Sequence, residues 1–265
     1  MSLEMNTPHS DPPALGRTAA FLSEYASWLL GSGATCIRLE KNISRMARTF
    51  GANVEMTIMP RHIHLSFTNP GGCECITSIA SPKKIPIDFT INTRLSELSW
   101  QVADGKVSFA EMEKEFRKAI RPAQSHIWLV TLLVSLANAS FCRLFGGDLM
   151  AMAVVGVATF AGFWLKRRLT ALGTDLRITV FACALLSSIL GASGMLFSLG
   201  TTPAVALGTS VLYLVPGIPF LNSFSDLIYR HYICAFSRFT DAVVITCCLS
   251  AGLCAGMALM NAGMF

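Results

Sequence analysis

Apolar and polar positions follow two periods in the first half of the chain, and in the second half charge nearly vanishes. Leu15, Ala19, Leu22, Ala26 and Leu29 fall at helical spacing and stop at Gly31-Ser32-Gly33, which predicts a helix over 15–30. Ile37, Ile43, Met46, Ala47 and Phe50 predict a second helix over 35–50, closed by Gly51. The period then drops to two. Val54–Ile58, His62–Phe67 and Cys75–Ile79 read as strands, with Asn69-Pro70-Gly71-Gly72 as the turn between the last two. Helices are expected again over 92–104 and 109–120, the latter opened by Ser108 and Glu111 at capping-box spacing.

Beyond residue 121 the pattern is of another kind. Uncharged runs cover 122–142, 149–165, 178–225 and 242–265. The run from Ile178 to Ser225 is 48 residues long, enough for two bilayer crossings of roughly 20 residues each, divided at Gly200-Thr201-Thr202-Pro203. Five spans are predicted, near 123–144, 148–165, 177–199, 204–223 and 240–262. The expected fold class is an α-helical polytopic membrane protein of about five transmembrane helices, preceded by a small α+β cytoplasmic domain. Its parts are a disordered tail (1–14), the α+β domain (15–121) and the transmembrane domain (122–265).

Charge placement supports the division. The first 121 residues hold 26 of the 37 Asp, Glu, Lys and Arg residues. Arg117, Lys118 and Arg121 precede the first span; Lys166, Arg167, Arg168 and Arg177 lie between the second and third, and Arg230 and Arg238 between the fourth and fifth. The opposite side holds only Arg143, so the positive-inside rule predicts a cytoplasmic N-terminus and an outer C-terminus. A net charge of +5 concentrated beside spans argues for bilayer orientation and against nucleic acid. The polar, proline-bearing N-terminus lacks the apolar core of a signal peptide. Of the nine cysteines, Cys142, Cys183, Cys234, Cys247, Cys248 and Cys254 fall in or beside spans and read as small packing residues rather than disulfides.

The soluble half offers little chemistry. His62-x-His64 and Cys73-x-Cys75 resemble metal ligands, but a hairpin pairing 66 with 75 and 64 with 77 sets Cys73 more than about 10 Å from His62. No metal or cofactor is expected. Gly-rich phosphate loops, HExxH and GxSxG are absent from the sequence, and Glu111, Glu113 and Glu115 with Lys114, Arg117 and Lys118 read as a solvated helix face.

The membrane half centres on Leu214-Val215-Pro216-Gly217-Ile218-Pro219-Phe220-Leu221-Asn222. Pro216 and Pro219 remove two backbone donors, freeing the carbonyls of Leu212 and Val215, and so predict a broken fourth span. Freed backbone at that depth is tolerated only where protein covers it or it lines a wet cavity. Asn222, Asp226 and Arg230 then follow a turn apart, as a polar stripe leading from the break. A proline kink with an interfacial Asp–Arg pair is the plainer alternative. The expected transport path comprises Pro216, Gly217, Pro219, Asn222, Asp226 and Asn138, with Asp226, Arg230 and Arg238 as coupling or gating candidates. Ser187 and Ser188 read as helix contacts, and Asp241 as a local partner of Arg238. Gly252-x-x-x-Gly256 and Gly191-Ala192-Ser193-Gly194 read as close-packing surfaces, within the chain or with another subunit.

The motif from Leu214 to Asn222, followed by Asp226 and Arg238, resembles the signature of the threonine/serine exporter family. More narrowly it is similar to the N-terminal-type half, the YjjP-like subunit of a YjjP–YjjB succinate exporter. Phe141 to Asp148 and Leu30 to Ala34 carry the same resemblance, which spans roughly residues 15–260. It implies export of a small metabolite, threonine and serine or a C4 dicarboxylate such as succinate, across the bacterial inner membrane. It also implies a separate YjjB-like membrane subunit as partner; the apolar spans call for a lipid bilayer, and the small-residue surfaces admit a second copy of the chain. A different reading is a membrane-integral enzyme acting on a lipid or isoprenoid; the four carboxylates and His231 of the membrane half give it little support.

Overall fold

The computed structural model describes residues 14–72, 74–122, 126–197 and 200–260. The expected tail, apart from Ala14, and Cys73 lie outside the described residues. The chain divides into two compact units. Residues up to 122 form the first together with Leu221–Arg238; 126–220 and 239–260 form the second. The return of Leu221–Arg238 to the first unit was not foreseen.

The first unit runs α1 (Leu15–Gly31), α2 (Cys36–Thr49), β1 (Asn53–Ile58), β2 (Ile63–Thr68), β3 (Cys75–Ala80), α3 (Phe89–Ala103) and α4 (Phe109–Ala119). The strands form one antiparallel sheet in the order β1-β2-β3. Alternation along β2 puts Ile63, Leu65 and Phe67 wholly inside, against Leu22, Leu29, Leu39, Ile43 and Leu95 from the helices. Tyr25 is buried among them because its hydroxyl has partners: it donates to Leu95 O at 2.7 Å and accepts from Asn42 Nδ2 at 3.1 Å. Asp88 caps α3, and Ser108 with Glu111 forms the expected capping box of α4.

The hairpin register differs from expectation by two residues. Ser66 faces Thr77, and Cys75 faces Thr68. The connection is longer than a four-residue turn, since Asn69 N–H bonds Glu74 O and Gly72 N–H bonds Asn69 O. A shift of two preserves which face each side chain occupies. Among the described residues no group of three or more His, Cys, Asp or Glu is arranged to hold a metal.

The second unit contains α5 (Ile127–Leu144), α6 (Leu149–Ala171), α7 (Leu176–Leu196), α8 (Pro203–Thr209) and a 3-10 turn (Leu212–Leu214). It also holds the first turn of α9 (Gly217–Ile228) and most of α10 (Tyr232–Leu259). Four helices, α5, α6, α7 and α10, are long and apolar enough to cross a membrane. Pro203–Leu214 with Gly217–Ile228, bent by 60°, counts as a fifth if taken as one broken span. α6 packs on both α5 and α7, and α8 on α7. Glycines bring α10 close to α7: a Cβ on Gly252 would strike Phe181 O, and one on Gly256 the Ser188 hydroxyl. The Gly252-x-x-x-Gly256 surface is therefore used inside the chain.

The segment Phe141 to Asp148 is a turn with a tie. Gly146 takes a φ of +85° to leave α5, and Gly147 lies so near Cys142 that a Cβ would meet its main chain. Asp148 caps α6 through Ala151 N–H and accepts from the main-chain N–H and the hydroxyl of Thr201, joining the α5–α6 and α7–α8 loops. The bonds from Thr201 and Ala151 hold its carboxyl near a pKa of about 2. With the folded pKa depressed, the tie's contribution is complete above about pH 4 and is lost as pH falls through 2. Asp148→Asn should lower the melting temperature of the detergent-purified protein at pH 7 and flatten its acid dependence below pH 4. An unchanged acid profile would show that the tie is not formed.

Candidate functional site

The break begins where α8 stops. Thr209 and Ser210 turn their hydroxyls back onto Val205 O and Leu207 O, and the chain tightens into the 3-10 turn. Val215 N–H bonds Leu212 O at 3.1 Å, and Gly217 N–H bonds Val215 O at 2.9 Å. Both carbonyls expected to be free are thus satisfied locally, which corrects the picture of exposed main-chain dipoles at the prolines. Pro216 and Pro219 flank and enter the first turn of α9, where a missing N–H leaves no helical bond unmade. They start a second half-helix rather than interrupt a continuous one. Gly217 has open space where a Cβ would stand.

Asn138 serves the other side of the break. Its amide donates to Thr159 Oγ1 at 2.6 Å and to Thr209 O at 3.1 Å, so it closes a carbonyl at the end of α8. Nearby, Ser187 shares a 2.9 Å hydrogen bond with the hydroxyl of Tyr213, which the 3-10 turn presents. Gly162 makes room for that hydroxyl; any Cβ there would overlap it. Tyr213, Thr159 and Thr209 were not singled out from the sequence, because only the fold shows that they meet.

The polar residues after the break do something else. α9 is two-faced: Leu221, Phe224, Leu227 and Ile228 are exposed, whereas Ser223 and Asp226 are buried. Asn222 Nδ2 donates to Gly33 O at 2.9 Å, at the α1–α2 turn. Asp226, fully buried, accepts from Cys36 N–H at 2.8 Å and from the Cys36 thiol at 3.4 Å, and meets Arg238 Nη1 at 3.0 Å. Arg238 Nη2 also donates to Ala34 O at 2.9 Å, and Cys234 Sγ–H points to Ile58 O at 3.4 Å.

α2 has no side-chain cap of its own from Thr35. Asp226 supplies it from 190 residues away, and its charge suits the positive end of the helix. The hydrogen bond to Cys234, burial and the Asp226 carboxylate all push the Cys36 thiol well above its usual range. All of these residues belong to the first unit. Asn222, Asp226 and Arg238 are thus brought together, as a latch on the α1–α2 turn.

Two pairings change. Arg238 reaches Asp226 rather than Asp241. Arg230 leaves the predicted stripe: with φ at +65° it ends α9, its N–H bonding Leu227 O while His231 N–H bonds Asp226 O. A groove of about 590 Å³ runs along α2, lined by Ile37, Glu40, Lys41, Ser44, Arg45 and Arg48. None of the site residues expected from the sequence lines it.

Such a fold, several apolar helices and one interrupted span around satisfied polar contacts, defines a multi-pass membrane protein. The chain belongs to the threonine/serine exporter family: the ThrE family model, described as "Putative threonine/serine exporter", matches residues 20–260. It is similar to the "Probable succinate transporter subunit YjjP" of Klebsiella aerogenes, 27% identical over 238 residues, covering 88% of this chain and 90% of that protein. The protein of the same description from Escherichia coli K12 is 27% identical over 230 residues, covering 85% and 88%. No solved structure matches. The protein is a transport protein and not an enzyme, which removes the lipid-enzyme reading.

Removing one member of the buried latch strands the others. Asp226→Ala should cost about 3 kcal/mol, since a buried ion pair and a helix cap are lost together. Arg238→Ala in that background should add much less than it does alone. Strict additivity of the two in a thermal-unfolding double-mutant cycle would contradict the pairing.

Proposed function

We propose that the protein is one subunit of a bacterial inner-membrane exporter of small carboxylate metabolites, a C4 dicarboxylate such as succinate or threonine and serine. The solute would pass at the broken fourth span. The observation that supports this most is the 60° break itself, where the carbonyls of Thr209, Leu212 and Val215 are met by protein donors. Two half-helices joined at a turn can change their mutual angle without unmaking either helical ladder. That is what alternating access to a midplane site requires.

Pro216, Gly217 and Pro219 form the joint in this reading, and Asn138 holds one side of it. Asn222, Asp226 and Arg238 act as a gate, because they fasten the far half-helix and the start of α10 to the α1–α2 turn. The first unit lies in the cytoplasm and the C-terminus outside, as the basic residues around Lys166 and Arg177 favour. A second membrane subunit completes the path. The curated relatives are themselves named as subunits, and an odd number of spans is commonly complemented by a half of opposite topology.

The test is efflux from proteoliposomes holding this chain with its partner subunit. Labelled succinate, threonine or serine should leave the vesicles. Asp226→Ala and Asn222→Ala should change the rate at least about fivefold at equal protein level, consistent with a coupling of about 1 kcal/mol or more. Vesicles that retain all three solutes would overturn the proposal.

A further inference from the structure

The groove along α2 carries positive charge that the first unit does not neutralise. Ile37, Lys41, Ser44 and Arg48 recur every three or four residues along one face of the helix, with Arg45 beside them, and line about 590 Å³ of open space. Lys41 and Arg48 are exposed. Arg45 is held in place: its guanidinium lies 3.5 Å from the centre of the Trp100 ring and donates to Ser99 Oγ at 2.6 Å and Asn42 Oδ1 at 3.2 Å. Among the described residues none of these three cations forms an ion pair with a carboxylate. Glu40, which lines the groove with them, faces His231 Nε2 at 3.5 Å instead.

The groove borders an apolar elbow. Lys41 Nζ lies 5.8 Å from the centre of the Tyr229 ring, so the turn from α9 into α10 adjoins α2. That turn exposes Leu227, Ile228, Tyr229, Tyr232 and Ile233, with the exposed Arg230 among them. Ile228 is 75% exposed and Ile233 66%, a cost in water that a covering surface would remove. All of these residues belong to the first unit. α10 then leads from the elbow into a span. It has 28 residues, about eight more than a bilayer crossing needs. Its two charged residues, Arg238 and Asp241, both stand near its start, so the excess falls at the Tyr232 end and sets the elbow at headgroup depth.

We propose that the α2 groove and the α9–α10 elbow together bind the phosphate headgroup of an anionic phospholipid. Lys41, Arg45 and Arg48 meet the phosphate, while Ile228, Tyr229, Tyr232 and Ile233 enter the boundary with the acyl chains. Guanidinium and ammonium donors match phosphate oxygens, and a basic face beside exposed tyrosine and isoleucine is the pattern of an interfacial surface. In the orientation proposed above, the face meets the cytoplasmic leaflet, whose anionic lipids attract basic segments. A soluble phosphate would engage the cations and leave the elbow in water. An acidic segment of a partner protein is the competing occupant; the continuity of the elbow with a span favours lipid. The inference makes no use of the transported solute.

Detergent-purified full-length protein, titrated with phosphatidylglycerol, phosphatidylcholine or glycerol phosphate, reports binding as a shift in melting temperature. Phosphatidylglycerol should raise it to a plateau; phosphatidylcholine and glycerol phosphate should give little shift. Lys41→Gln with Arg48→Gln should weaken phosphatidylglycerol binding about tenfold or more, as expected for two basic residues removed from an anionic surface, and Lys41→Arg with Arg48→Lys should retain it. Ile228→Ser with Tyr232→Ser should weaken it as well, whereas Lys114→Gln with Arg117→Gln, on the solvated face of α4, should not. Added salt should weaken binding to wild type, a measurement that needs no variant to fold. Unchanged binding in Lys41→Gln with Arg48→Gln, salt-independent binding, equal shifts from the two lipids or an equal loss in the α4 variant would each overturn the inference. So would an equal shift from glycerol phosphate, which would make the ligand a soluble anion. Loss of the partner subunit from Lys41→Gln with Arg48→Gln, with lipid binding intact, would assign the surface to a protein and overturn it too. Efflux is not read in this experiment, so its failure leaves the exporter reading standing.

Discussion

A carboxylate with no solvent contact must be surrounded by donors, and Asp226 is. Two groups of Cys36 and the guanidinium of Arg238 take up its oxygens. Each of those partners is needed for a second reason. Cys36 N–H is an orphan donor at the start of α2, which Thr35 leaves without a side-chain cap. Arg238 also covers Ala34 O, while Asn222 covers Gly33 O. The α1–α2 turn therefore exposes three main-chain groups, and residues of α9 and α10 satisfy all three. The arrangement is costly to open piecemeal, because any one loss leaves buried polar groups unpaired. It makes the end of the broken span and the beginning of α10 obligatory parts of the first unit.

The break itself obeys the same accounting. An interrupted helix in an apolar surrounding sets carbonyls loose, and three at the joint are met: Leu212 and Val215 from the turn itself, Thr209 from Asn138. Prolines placed in the first turn of α9 cost no helical hydrogen bond. Packing around it is close. Gly162 exists to admit Tyr213, and Gly191 to admit Ser210 and Leu207. Among the described residues the buried hydroxyl of Thr179 on α7 has no hydrogen-bond partner.

Much of this was readable from residue order. The two helical stripes, the change to period two, the capping box at Ser108 and the uncharged runs each rest on local rules, and the elements formed where those rules put them. The broken span followed from Pro216 and Pro219 for the same reason. What failed did so for want of partners. Hairpin register depended on hydrogen bonds inside the 69–74 connection. For the stripe of Asn222, Asp226 and Arg230, spacing alone did not reveal that Gly33 and Cys36 meet its first two members. Arg230 lies on that stripe by number alone, and its left-handed backbone takes it elsewhere. Ser187 reads as a helix contact from the sequence, and only the fold brings the Tyr213 hydroxyl to it.

The latch can be read chemically through Cys36, whose thiol is buried and engaged with Asp226 while the latch is closed. In a variant retaining Cys36 as its single cysteine, the rate of maleimide labelling measures how often the α1–α2 turn is released. Labelling should be slow in that background and rise about tenfold or more when Asp226→Ala is added, as expected when a few kcal/mol of local stability is removed. Equal labelling rates with and without Asp226 would contradict the account, for they would mean that the carboxylate does not hold the turn.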